Sequence, residues 1–117
     1  MITKNKILEI LSILKDEFGE DNIMLIGSTV FLLNDLDLGR EYNDVDVLVK
    51  SPMRGVIFRK INDIKINIHF SIFFNKEYKL VDNYKVATIE DTIKFKESVK
   101  SIKNINDLKY VKQNYNI

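Results

Sequence analysis

The sequence predicts an α+β domain: a mixed β-sheet with helices packed mainly on one face. Three observations predict it. Apolar residues recur at helical spacing near the N-terminus, at Ile7, Leu8, Leu11, Leu14 and Phe18. Over 64–74 they alternate instead, with Ile66, Ile68, Phe70 and Ile72 opposing Lys65, Asn67, His69 and Ser71. The first spacing is that of a helix with one buried stripe, the second that of a half-buried strand. The remaining segments alternate between the two patterns, in the order helix, strand, helix, strands, helix, helix.

Residues 4–18 form the first helix, with Ile10 and Ile13 widening its stripe and Gly19 ending it. Ile23–Ile26 is a short buried strand. Gly27-Ser28 is a turn into a helix over 29–36, with Val30, Leu32 and Leu33 inward. A polar loop containing Gly39 covers 37–43. Residues 44–49 form a strand stopped by Ser51-Pro52. Residues 56–61 fit a strand or a helix equally well. Tyr78–Val81 reads as a strand pairing with a neighbour, and Tyr84–Ala87 leads to Thr88. That residue caps a helix running to about residue 101. A last helix over 106–114 turns Leu108 and Val111 inward. The chain shows no repeat, linker or low-complexity tract, so 1–117 reads as one domain.

With 117 residues, 45% of them apolar, the chain can bury a core of modest size. Eighteen basic residues against 17 acidic ones leave no bulk charge that announces a nucleic-acid binder. Cysteine is absent, which excludes disulfides and cysteine-based zinc sites. The N-terminal residues lead into an amphipathic pattern, unlike a signal-peptide core. No apolar run reaches the roughly 20 residues needed to span a bilayer. These features predict a cytoplasmic protein with no membrane association.

The chemistry is concentrated in two short motifs. Asp44-Val45-Asp46-Val47 sets two carboxylates two residues apart in a strand, so both project from one face while Val45, Val47 and Val49 pack on the other. Adjacent carboxylates repel, and a divalent cation is the usual way to neutralise them. Upstream, Gly27-Ser28 lies where a strand turns into a helix, a place that offers free backbone N–H groups to a phosphate. Carboxylate pair and phosphate cradle together are equipment for metal-assisted nucleotidyl transfer.

These residues resemble the nucleotidyltransferase superfamily, the DNA-polymerase-β-like fold, and particularly its small bacterial and phage members. Ile26-Gly27-Ser28 followed by Asp44-Val45-Asp46-Val47 is similar to the signature of that family. Gly39-Arg40-Glu41-Tyr42-Asn43 before the Asp pair, and the helix over 88–96 followed by 103–108, also look like it. The resemblance covers about residues 23–110. It implies a nucleotidyltransferase-like sheet and Asp44 and Asp46 as catalytic ligands of Mg²⁺ or Mn²⁺. It also implies ATP or another nucleoside triphosphate as substrate, and contacts to that nucleotide from Gly27, Ser28, Arg40 and Lys96. A nucleoside monophosphate, AMP for ATP, passes to an acceptor hydroxyl and pyrophosphate leaves.

The chain departs from the pattern in two respects. Fifteen residues separate Ser28 from Asp44, a long gap for this signature. The family also takes a third carboxylate from a following strand, and here the matching position is Asn67. Asn can ligate through its carbonyl oxygen but cannot act as a base at pH 7. His69, the one His of the chain, shares a strand face with Asn67 and offers a substitute ligand or base. Two functions therefore stand: an active transferase, or a catalytically degenerate member of the fold working as a binding or regulatory module of the antitoxin, defence or phage kind. The acceptor is open between a small molecule, a protein and an RNA end, and a protein partner or second copy is needed if the cleft is to be completed.

Each motif also has a plainer reading. The Asp pair suits a solvated sheet face; Ser28 suits a helix cap; Arg40, His69 and Lys96 suit surface positions. The Lys-rich tail, Lys94, Lys96, Lys100, Lys103, Lys109 and Lys112, suits a solvated helix face or a short RNA contact. Tyr110 and Tyr115 suit packing. Phe70, Ile72, Phe73 and Phe74 suit a core or, on an edge strand, a partner surface.

Overall fold

Thr3 starts the chain's first helix. Its hydroxyl accepts from the Lys6 backbone N–H, meeting one of the donors that a helix start leaves open. In the computed structural model, which describes residues 1–72 and 77–117, this helix is α1, Lys4–Phe18. There follow β1 Ile23–Ile26, α2 Thr29–Leu33, β2 Asp44–Lys50, β3 Gly55–Ile61, β4 Ile64–Ser71, β5 Tyr78–Val81, β6 Tyr84–Ala87, α3 Ile89–Ser98 and α4 Ile102–Tyr115. The architecture is α+β, with one mixed six-stranded sheet in the order β3-β4-β2-β1-β6-β5. The pairs β2–β4 and β1–β6 are parallel, and the other neighbours are antiparallel.

The period-2 pattern divides the central strands cleanly. Val45, Val47 and Val49 of β2, Ile66 and Ile68 of β4 and Leu25 of β1 join Ile7, Ile10, Leu11 and Leu14 of α1 in one core. The α1 residues named are wholly buried, so truncating any of them to Ala costs on the order of 2–5 kcal/mol. Because alternate residues are committed to this core, Asp44 and Asp46 must project to the other face. On that side α3 and α4 pack against one another. Phe31 of α2 joins Leu38 and Val111 of α4 in a second, smaller core, with Ile89 and Ile93 of α3 against it.

The ambiguous segment 56–61 is a strand. It is outermost in the sheet and pairs with β4 through a two-residue turn at Asn62-Asp63, where φ is 52° and 64°. Asp82-Asn83 does the same for β5 and β6, with φ of 49° and 69°. Two successive left-handed residues make the turn whose twist matches that of paired strands, and Asn and Asp tolerate it best after Gly.

Some boundaries differ from expectation. α2 stops at Leu33 because Asp35 enters the left-handed region, with φ of 60°. The last helix begins four residues earlier than expected because Ser101 caps it, accepting from the Asn104 N–H. The strand read over 64–74 is described to Ser71. Phe70 packs edge-on to Phe18 at 6.1 Å between ring centres, whereas Ile72 is half exposed and outside the core. Phe73 and Phe74 lie outside the described residues. Tyr110 and Tyr115 do pack: the Tyr110 ring covers Gly39, and Tyr115 exchanges hydrogen bonds with the Asp37 backbone. No helix among the described residues is long and apolar enough to cross a membrane.

Candidate functional site

Strand register assembles the acidic part of the site. Asp46 pairs with Ile26 of β1 on one side and Asn67 of β4 on the other, with Asp44 one pleat away on the same face. Asn67 Nδ2 donates to Asp44 Oδ2 and to Asp46 Oδ1, both at 3.0 Å. One amide nitrogen thus bridges two carboxylates. His69 Nε2 lies 3.0 Å from Asp46 Oδ1, and since a carboxylate only accepts, Nε2 carries the proton. Burial pushes the Asp46 carboxyl up. The hydrogen bonds from His69 and Asn67, with the nearby charges of His69 and Lys103, outweigh burial and hold it below its ordinary value.

The Gly27-Ser28 turn abuts this pair. Gly27 has φ of +78°, and a Cβ on it would lie 2.7 Å from Asp46 Oδ2. Backbone conformation and space both require Gly here. Ser28 does not cap α2. Its backbone is already helical, with φ of −64° and ψ of −31°, and its hydroxyl makes no capping bond. That hydroxyl accepts from Lys96 Nζ at 2.7 Å and from Arg40 Nη2 at 3.2 Å. α2 is only five residues long, so its dipole adds little at the turn. The positive character beside Ser28 comes from side chains.

Those side chains are anchored by Asp107 of α4. Arg40 grips it with two bonds of 2.7 Å, from Nε to Oδ1 and from Nη2 to Oδ2. Lys96 Nζ donates to Asp107 Oδ2 at 2.9 Å and to Asn104 Oδ1 at 3.3 Å. Lys96 is 4% exposed and Asp107 2%, so the solvated reading of Lys96 is overturned. Burial pushes the Asp107 carboxyl up, but its bonds to Arg40 and Lys96 win and hold it low. For Lys96 burial wins and lowers the ammonium against the opposing pull of Asp107.

The segment 103–108 carries part of the resemblance, and Lys103 is part of the Lys-rich tail, but the sequence gives no role to either Asn104 or Asp107. A signal existed: Asn104, Asp107 and Val111 follow the 3–4 spacing of a buried helix stripe, and two of the three are polar. Polar residues in a buried stripe must find partners, and Lys96 supplies them. Lys103 lines the same cleft, within electrostatic reach of Asp46, and makes no ion pair among the described residues.

The two halves face each other across a cleft of about 350 Å³. Gly27, Ser28, Asp44, Asp46, Asn67 and His69 line its sheet side; Asp91, Thr92, Phe95, Lys96, Lys103 and Asn104 line its helix side. Arg40 reaches it only through Ser28. Among the described residues no group of three or more His, Asp or Glu side chains is arranged to hold a metal ion. The oxygens of Asp44 and Asp46 nevertheless converge on one point, the Asn67 nitrogen, and hard oxygen donors of this kind suit Mg²⁺ or Mn²⁺.

No family model matches the chain, and no curated protein matches it. Among solved structures, the crystal structure of JHP933 from Helicobacter pylori is similar in fold, with a TM-score of 0.59 at 16% sequence identity. The match covers 92% of this chain and 65% of that one. The chain therefore spans about two thirds of its structural neighbour, and the likeness at this identity concerns the fold alone.

Proposed function

We propose that this cleft binds a nucleoside triphosphate with a divalent cation and transfers the nucleotidyl group, AMP in the case of ATP, to an acceptor hydroxyl. The observation that carries the reading is the convergence of Asp44 and Asp46 on one point beside Gly27-Ser28. Asp44 and Asp46 would hold the cation, joined by Asn67 when its amide turns its oxygen inward. When bound, Mg²⁺ or Mn²⁺ neutralises triphosphate charge and favours departure of pyrophosphate. Gly27 lets the triphosphate approach the backbone closely. Ser28 offers a hydroxyl, and Lys103 offers a positive charge from the opposite wall. His69 has its Nε2 proton committed to Asp46, so it would accept a proton from an acceptor hydroxyl only at Nδ1 of the neutral ring. The acceptor class, small molecule, protein or RNA end, and any protein partner or second copy that completes the cleft, belong to the same proposal.

A specific observation favours a second reading. Asn67 replaces a third carboxylate, and its amide already bridges Asp44 and Asp46 as a cation would. A degenerate transferase working as a binding or regulatory module fits that bridge.

Calorimetric titration of ATP with and without Mg²⁺, on the chain and on Asp46→Ala, tests the shared basis of both. The expected result is binding that requires Mg²⁺ and disappears in Asp46→Ala. Transfer from α-labelled ATP to added acceptors then separates enzyme from module. Absence of binding in every condition rejects the nucleotide reading.

A further inference from the structure

The Ser28 hydroxyl is surrounded in an informative way. A hydroxyl has two acceptor lone pairs and one hydrogen to donate. Lys96 Nζ and Arg40 Nη2 take the two acceptor positions, and neither group can accept in return while charged. Among the described residues nothing accepts the Ser28 hydrogen, and Ser28 lines the cleft. The hydroxyl is thus held as a donor, polarised by two cations.

Lys96 itself has nothing left to give. Its three hydrogens go to Ser28, Asn104 and Asp107. Both cations are aimed by one carboxylate, since Asp107 Oδ2 accepts from Lys96 and from Arg40, and Oδ1 accepts from Arg40. Without that anion two positive groups would meet at one hydroxyl, with the Asn104 amide oxygen left to hold Lys96 and the Glu41 carbonyl left to hold Arg40, and one would swing away. Arg40 has a path outward, because its side chain is 25% exposed.

We infer that Asp107 is a positioning residue: it clamps Lys96 and Arg40 onto Ser28, so that the Ser28 hydroxyl presents its hydrogen to an anionic phosphate oxygen of the bound nucleotide. This rests on the nucleotide reading above, which already includes the Ser28 contact, and adds Asp107 as the residue that makes Lys96 and Arg40 act through it. The ligand chemistry is an anionic oxygen accepting a charge-assisted hydrogen bond.

The test is a double-mutant cycle read by calorimetric titration of Mg·ATP, with melting curves to confirm folding. Ser28→Ala is expected to weaken binding about tenfold, the usual range for one hydrogen bond to a charged group. Asp107→Asn is expected to lose a similar factor in the Ser28 protein and almost nothing in the Ser28→Ala protein, with Asp107→Glu recovering part of it. A purely structural Asp107 would weaken binding equally in both backgrounds, and that additivity overturns the inference, as does unchanged binding in a folded Asp107→Asn. Should Asp107→Asn fail to fold, Arg40→Gln removes one of the two donors from the more exposed side, and the same loss confined to the Ser28 background is expected. Additive loss there overturns the inference. If the unmodified chain binds no Mg·ATP, the nucleotide reading falls first and this inference with it.

Discussion

Replacing Asn67 by Asp places a third carboxylate beside Asp44 and Asp46, and the structure sets the cost of doing so without a cation. The change removes two hydrogen bonds of 3.0 Å to charged acceptors. Each is worth about 1.5–3 kcal/mol, so at least about 3 kcal/mol is lost. It also adds a like charge about 3 Å from both Asp44 and Asp46, a repulsion on the order of 5 kcal/mol per pair at an effective dielectric of about 20. Proton uptake relieves most of that repulsion, because a carboxyl among carboxylates has a raised pKa. The folded state then binds more protons than the unfolded one, so stability falls as pH rises through the raised value. Melting curves of Asn67→Asp without divalent cation should therefore drop by about 10 °C or more at pH 8 and recover toward pH 5. Mg²⁺ or Mn²⁺ should restore the pH 8 value in Asn67→Asp and act far more weakly on the Asn67 chain. If Asn67→Asp melts like the Asn67 chain at pH 8 in the presence of a chelator, the bridging role assigned to Asn67 is wrong. If it melts low but gains nothing from either cation, the carboxylates do not form a cation site.

Two other substitutions probe the frame around that site. Gly27→Ala forces a left-handed Ala, costing about 1–2 kcal/mol, and its methyl must displace Asp46 Oδ2 from 2.7 Å; a lower melting temperature with a larger proportional loss of Mg²⁺-dependent ATP binding is expected, checked by melting and calorimetry. Asp63→Gly in the β3–β4 turn, where φ is 64°, should raise stability by a few tenths of a kcal/mol up to about 1 in urea unfolding and leave nucleotide binding unchanged.

The sheet was legible in the sequence wherever a face alternates with one side buried. β2 and β4 show this: Val45, Val47, Ile66 and Ile68 fix the register, and the register alone sends Asp44, Asp46, Asn67 and His69 to one side. β3 was illegible because it lies at the edge with almost every side chain exposed, Phe58 at 77%, so burial imposes no period on it. Its hairpin turn was readable in principle from Asn62-Asp63, as was that at Asp82-Asn83, but without Gly the signal is weaker. The acidic part of the site is local in sequence and was found. The Arg40–Lys96–Asp107 cluster joins residues 67 and 11 positions apart, and its members carry ordinary surface chemistry until α3 and α4 pack together. In the pattern of apolar and charged residues Lys96 looks like Lys94 or Lys100; the resemblance set it apart, and the tertiary contact shows it buried.

The division of charge across the cleft has a thermodynamic consequence for the proposed ligand. The sheet side presents two carboxylates and the donor at Ser28, and the helix side presents Lys103 together with the Asp91 carboxylate. A free triphosphate entering this space meets repulsion from Asp44 and Asp46. A free divalent cation meets only two carboxylates already bridged by Asn67. Bound together, each neutralises what opposes the other: the cation masks the carboxylates from the phosphates, and the phosphates supply the oxygens that the protein lacks. Linkage then requires the coupling to be reciprocal, so ATP must tighten the cation by the same factor as the cation tightens ATP. The Asn67 bridge adds a cost to cation binding that arises with or without ATP, so it weakens the cation and leaves the coupling unchanged. On the proposed reading, a cleft built this way would select the metal–nucleotide complex over either component, with or without a third carboxylate.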